Sequence, residues 1–221
     1  MIPKDHATEK VEPRWERRKD ARPVELANAA LELFVEKGFS ATRLEDVAAR
    51  AGVSKGTLYL YFENKEDLFR AVIRGAVVPA IEGAEKMLEA ADGSADALLR
   101  GLVWGWWDEI LSKTAGGIPK LLLAEAGNFP ELADFYYEQV VRPGTALFRR
   151  VIERGIARGE FRPIDFDHAS HVMMAPMIML AVSRHSVDFC SREKRDPRAV
   201  IETYLDMLLR ALRPDAPEEA R

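Results

Sequence analysis

Apolar residues recur at intervals of three and four along nearly the whole chain, and that period confines it to helices. Leu26, Ala30, Leu33 and Phe34 fall on one face of a helical wheel; Leu99, Leu102, Val103, Trp106 and Ile110 do the same further on, as do Val200, Ile201, Tyr204, Leu205, Leu208, Leu209 and Leu212. Alternating Val, Ile and Thr runs closed by Asn-Gly or Asp-Gly, which would announce hairpins, are missing. The expected fold class is all-α.

Caps and breakers divide the pattern. A first helix is expected from about Ala21 to Lys37, capped by Asp20, with Pro23 in its tolerant first turn and Gly38 as its stop. Thr42 followed three residues later by Glu45 reads as a capping box for a second helix with Leu44, Val47, Ala48 and Ala51 inside, ending at Gly52. Ser54 caps a short third helix through Tyr61, and Asn64 caps a long fourth one carrying Leu68, Phe69, Val72 and Ile73. Beyond it, Ser94 caps a fifth helix and Ile118 to Ala126 forms a short one. A long seventh helix runs from Pro130 to about Arg158, interrupted at Pro143-Gly144, where the missing backbone donor produces a kink or a break. After the turn Gly159 to Pro163, an eighth helix is capped by Asp165 or Asp167, and the last runs from about Pro197 to Arg213. This gives a basic arm (1–20), a small helical unit (21–74), a larger helical unit (75–213) and a disordered tail (214–221). Nothing resembles a flexible linker, so the fourth helix must join the two units.

Composition excludes several classes. The chain has 221 residues and a net charge of −4, so its total charge does not point to nucleic acid. The distribution is more informative: Lys10, Arg14, Arg17, Arg18, Lys19 and Arg22 face only three acids between positions 10 and 22, and such an arm is attracted to phosphates. Cys190 is the only cysteine, which rules out an intramolecular disulfide framework; with no signal-like opening, a reducing cytoplasm is expected. The apolar run Val172 to Val182 is too short to span a bilayer and contains Pro176.

The segment Thr42 to Phe62 is a helix, a tight glycine turn and a second helix, an order that can present the second helix to a major groove. Val53, Leu58 and Phe62 point inward, leaving Lys55, Gly56, Tyr59 and Thr57 outward. A glycine inside a helix costs roughly 1 kcal/mol against alanine, and close approach to DNA is one reason to keep it. Over residues 21 to 74 the sequence resembles the TetR family of bacterial regulators. The resemblance rests on Ala29-Ala30-Leu31-Glu32-Leu33-Phe34, Gly38-Phe39, Ala41-Thr42, Ala51 through Tyr59, Tyr61-Phe62 and Lys65-Glu66-Asp67-Leu68; the Gly159-Glu160-Phe161 turn is a further, isolated likeness. It implies an N-terminal helix-turn-helix domain, a C-terminal ligand-binding and dimerisation domain, and a regulator, commonly a repressor, that a small molecule releases from its operator. It also implies that Thr42, Arg43, Ser54, Lys55, Gly56, Thr57, Tyr59, Tyr61 and Lys65 form the DNA surface, with Lys55 and Arg43 as donors to guanine. Glu45 puts an acid beside that surface.

One such helix reads only a few base pairs, so a two-fold homodimer on a pseudo-palindromic duplex is expected, paired through the last two helices at Tyr204, Leu205, Leu208 and Leu212. The alternative for those leucines is ordinary core. Trp104, Trp106, Trp107, Phe135, Tyr136, Met173, Met174 and Met177 are the candidate lining of a largely apolar effector pocket, and they too make good core. His168 and His171 share a helical face and, with Glu125, form a weak candidate for metal or polar-ligand binding. No metal or cofactor is expected. Phosphate-binding glycine loops, nucleophile elbows and His-Glu-x-x-His are missing, which disfavours an enzyme; a helical adaptor without DNA activity is the other rival.

Overall fold

The computed structural model describes residues 14–186 and 196–214. Eleven α-helices and no strand occur among them: α1 (Arg14–Lys37), α2 (Leu44–Arg50), α3 (Lys55–Tyr59), α4 (Lys65–Ala76), α5 (Val78–Ala90), α6 (Ala95–Trp106), α7 (Ile118–Glu125), α8 (Pro130–Tyr136), α9 (Arg142–Ala157), α10 (Phe166–Arg184) and α11 (Pro197–Leu212). Within the described residues no helix is long and apolar enough to cross a membrane. Positions 1–13 of the expected arm, Cys190 and the tail beyond 214 lie outside the described residues.

The amino-terminal unit closes around three phenylalanines. Phe34, Phe39 and Phe69 meet with ring centroids 5.2 to 6.1 Å apart, and Leu26, Leu33, Val47, Leu58, Leu68 and Ile73 are buried with them. Gly38 ends α1 at φ +88°, donating its N–H to the Phe34 carbonyl at 3.0 Å. Only a residue without Cβ takes that left-handed turn cheaply. Two expectations change here. α1 is already helical from Arg14, because a run of Arg, Glu and Lys favours helix strongly enough to carry it back past Pro23. The capping box does not form: Arg43 is the N-cap of α2, while the Thr42 hydroxyl donates backwards to Gly38 O at 2.7 Å and Leu33 O at 3.2 Å.

The expected long fourth helix is two helices. α4 stops at Ala76, Val77 leaves helical geometry at φ −121°, and α5 begins beside Pro79. Proline has no N–H to offer Gly75, and its ring crowds that carbonyl. Similarly, Pro130 to Ala157 stays helical through Pro143, and the disturbance is a π-turn at Tyr137–Val141 just upstream. Widening the turn before the proline accommodates its missing donor. The turn after α9 is a Schellman motif on Gly159 (φ +69°), with Glu160 N–H reaching Gly155 O at 2.8 Å. It ties the larger unit together: the Glu160 carboxylate accepts from Ala95 N–H at the start of α6, and Arg162 donates through N–H to Leu212 O (2.8 Å) and through Nε to Ala211 O (2.7 Å). Gly155 is fixed by packing, since a Cβ there would lie 2.3 Å from the Phe161 ring.

Candidate nucleic-acid interface

α2 and α3 are joined by a turn whose every bond follows from Gly52. At φ +67° it lets Val53 N–H reach Ala48 O (2.9 Å) and its own N–H reach Ala49 O (3.1 Å), so α2 ends in a Schellman motif. Ser54 then starts α3, its Oγ accepting from Thr57 N–H at 3.1 Å. Leu58 is fully buried and anchors the helix. The opposite side is open: Ser54, Lys55 and Gly56 are exposed, and Tyr59 is 46% exposed. Leu60, 80% exposed, was missed by the sequence reading. Its signal was an apolar residue outside the inward set Val53, Leu58, Phe62; a thymine methyl is the contact it suits.

Gly56 has no internal reason to be glycine. Its φ is ordinary, and an added Cβ would come no closer than 3.8 Å to Ser54 Oγ. Lys55 forms an ion pair with Glu45 on α2 and sits 5.7 Å from the Tyr59 ring centroid. The hydrogen bond between them raises the lysine's pKa and lowers the glutamate's. The acid beside this surface is therefore already paired with the lysine on α3. Arg43 is exposed and has no ion-pair partner among the described residues.

Two expected DNA contacts are corrected. Thr42 is 2% exposed with its hydroxyl bonded inside, so its side chain is not a surface donor. Lys65 is turned inward: Nζ donates to Phe39 O (2.6 Å), Thr42 O (3.1 Å) and Ser40 O (3.2 Å) and lies 4.5 Å from the Phe39 ring centroid. All three ammonium hydrogens are thereby engaged, and burial lowers its pKa. It clamps the α1–α2 turn onto α4. Tyr61 is half-buried against the core.

Helices α5 to α10, with Leu31 of α1 and Gly75 and Ala76 of α4, line an apolar cavity of about 1420 Å³ that is open on one side. Of the eight expected lining residues, Trp106, Tyr136 and Met174 reach it. The other five do not. Trp107, Met173 and Met177 are buried core; Trp104 lies against Arg198, and Phe135 against Arg70 and Arg74. One residue of offset along a helix turns a side chain by about 100°, which separates Trp106 from Trp107. The wall also holds Gly75, Gly83, Gly105 and Gly144, none with an atom within 4 Å of a built Cβ. These glycines widen the space rather than serve packing. A glycine leaves no apolar side chain in the sequence to mark a lining position, so the pattern of large residues did not point to these four. Lys113 is the only cation among the lining residues and is paired with Glu109 at 2.7 Å, while burial raises the pKa of the Tyr136 phenol.

Residues 26–72 match the family description "Bacterial regulatory proteins, tetR family", and residues 89–188 match "Tetracyclin repressor-like, C-terminal domain". The uncharacterized HTH-type transcriptional regulator YfiR of Bacillus subtilis is 30% identical over 148 residues, 66% of this chain and 71% of that protein. The chain belongs to the TetR family. It is a DNA-binding transcriptional regulator. The HTH-type transcriptional repressor KstR2 of Rhodococcus jostii is 31% identical over 149 residues, 65% of this chain and 70% of that one. In fold, this TetR-family chain is similar to FadR from Bacillus subtilis solved with stearoyl-CoA, with TM-score 0.68 and 21% identity over 86% of this chain and 98% of that one.

The outer face of this TetR-family chain's last two helices differs from the expectation in register. Leu205 and Leu212 are buried within the subunit and are core. Tyr204 and Leu208 are half-buried and line a surface groove with Val172, Pro176, Val200 and Met207. Val172 is 75% and Met207 66% exposed. α11 is apolar on two faces, and the sequence alone could not say which looked outward. Among the described residues no three metal-ligating side chains gather. His168 pairs with Asp165 at 2.6 Å, which raises its pKa; His171 bonds to Asp167 O, and Glu125 is engaged with Ser40.

Proposed function

We propose that this TetR-family regulator binds a pseudo-palindromic operator as a two-fold homodimer and leaves it when a largely apolar small molecule fills the cavity. The observation that carries the reading is α3: a capped helix, anchored by one buried leucine, with an outward face that includes a glycine the fold does not require. Lys55 and Arg43 donate to base edges or phosphates, Ser54 and Thr57 present hydroxyls at the N-terminus of α3, and Tyr59, Leu60 and Tyr61 supply apolar and phenolic contact. Val172, Met207, Tyr204 and Leu208 supply an apolar pairing surface between subunits, since isolated monomers rarely leave such faces in water. Catalysis plays no part in this reading, and the cytoplasm is its compartment.

The cavity favours an effector whose buried part is long and uncharged. Its single cation is paired, so a buried carboxylate would find no free partner, and burying an unpaired charge is costly. FadR from Bacillus subtilis was solved in complex with stearoyl-CoA, a molecule with a long apolar chain, which supports an effector of this class. Repression, as in KstR2, is the mode this supports.

The test is affinity for duplex DNA recovered by selection from a random pool, measured against salt. Affinity is expected to fall steeply as salt rises, to fall again with Lys55→Ala, and to drop when an acyl thioester is added. Duplex binding that ignores salt and Lys55 overturns the reading of α3; binding indifferent to every apolar ligand overturns the effector reading.

A further inference from the structure

The effector domain touches the reading head at a place the joining helices do not explain. α7 forms part of the cavity wall through Pro119, Leu122 and Leu123, and Ala126 at its C-cap adjoins them. Both its ends are fastened to the amino-terminal unit. At the front, Gly117 lies so close to Val35 of α1 that a Cβ there would be 2.5 Å from Val35 Cγ1. At the back, the Glu125 carboxylate accepts from Ser40 N–H at 2.9 Å and from Ser40 Oγ–H at 2.6 Å. These two bonds hold the carboxylate below its ordinary pKa. Beside them, Phe129 stacks edge-on against Phe39 at 4.8 Å.

We propose that Glu125 is a positioning residue that couples the cavity to the reading head: it holds the α1–α2 turn in its DNA-binding arrangement, and movement of α7 over a bound ligand releases that turn. Ser40 is three residues before Arg43, the N-cap of α2, and Lys65 gathers Phe39 O, Ser40 O and Thr42 O onto α4. A shift of Ser40 therefore reorients α2 together with the α3 it carries. α7 is short, and its cavity side is made of aliphatic groups that a ligand displaces easily, so the ion-like bond at its end is the point where cavity filling becomes a change outside the cavity. The proposal rests on the cavity being the effector site.

The experiment uses the full chain, a selected duplex, and Nile red as a neutral apolar probe whose own fluorescence reports cavity binding. In the wild type, saturating dye is expected to lower duplex affinity about tenfold, a usual size for allosteric coupling, and to speed hydrogen exchange at the Ser40 amide by about the same factor. Glu125→Ala is expected to bind dye as the wild type does, to exchange quickly at Ser40 with or without dye, and to show less than about a twofold dye effect on DNA. Should Glu125→Ala fold poorly, Ser40→Ala trims only an exposed hydroxyl and is expected to reduce the dye effect by about threefold. An undiminished dye effect in Glu125→Ala or Ser40→Ala, or unchanged Ser40 exchange with dye bound, overturns the coupling role. Faster Ser40 exchange without loss of DNA affinity in the wild type means that the turn loosens without leaving its DNA-binding arrangement, and overturns the coupling role together with effector release. A cavity that takes no dye overturns both.

Discussion

Gly56 and Lys65 show how far single residues can be read. At Gly56 the sequence posed a question, a helix-weakening residue without an obvious use, and the geometry sharpens it: there is room for a Cβ and nothing inside that forbids one. Gly56→Ala is expected to stabilise the folded protein by about 1 kcal/mol in denaturant unfolding. It should weaken operator binding in the same preparation. Lys65 was legible as a significant cation but not as to its target, because spacing does not say whether a lysine bends toward solvent or toward carbonyls. Lys65→Met removes donors from three carbonyls, and a loss of about 2 kcal/mol in unfolding free energy is expected, beyond any effect on DNA. Arg43→Ala, at an exposed position, should leave stability unchanged within error and reduce affinity.

Among elements, the glycine stop at Gly52 and the side-chain caps at Ser54 and Asn64 were readable, whereas the Thr42 cap, the proline effects and the faces fixed by tertiary partners were not. Gly52, Ser54 and Asn64 each carry the start or stop assigned to them, since capping is decided within four residues. The Val77 break and the π-turn before Pro143 were misjudged because a proline's effect is felt a turn upstream of it. α11 has two apolar faces, and only tertiary packing distinguishes Ile201, Leu205, Leu209 and Leu212, inside, from exposed Met207 and half-buried Val200. If the proposed homodimer pairs through this face, Met207→Glu should dissociate it in sedimentation at micromolar concentration while the thermal transition of the subunit persists. Leu205→Glu, by contrast, should prevent folding altogether.

For the whole molecule, the all-α class and the order of a helix-turn-helix domain before a larger helical domain were legible because helical period and capping are continuous along the chain. The cavity was only partly so: its volume comes from glycines on several helices, an absence of side chains that no single stretch reveals. The joint between units was invisible, since Ser40 and Glu125 are 85 residues apart. It has a pH signature. With the folded Glu125 value below its ordinary 4.5, the unfolded chain takes up the proton first, so the joint's contribution is full above pH 4.5 and is lost as pH falls through the folded value. The difference in thermal stability between the wild type and Glu125→Gln is expected to be largest near neutrality and to vanish in that acid range. The most direct measurement is a hydroxyl-radical footprint of the full chain on its selected duplex. Two protected stretches are expected on one face, about one helical turn or a small multiple apart, both weakened together in Lys55→Ala. A single stretch, or protection that survives loss of the α3 side chains, would contradict it.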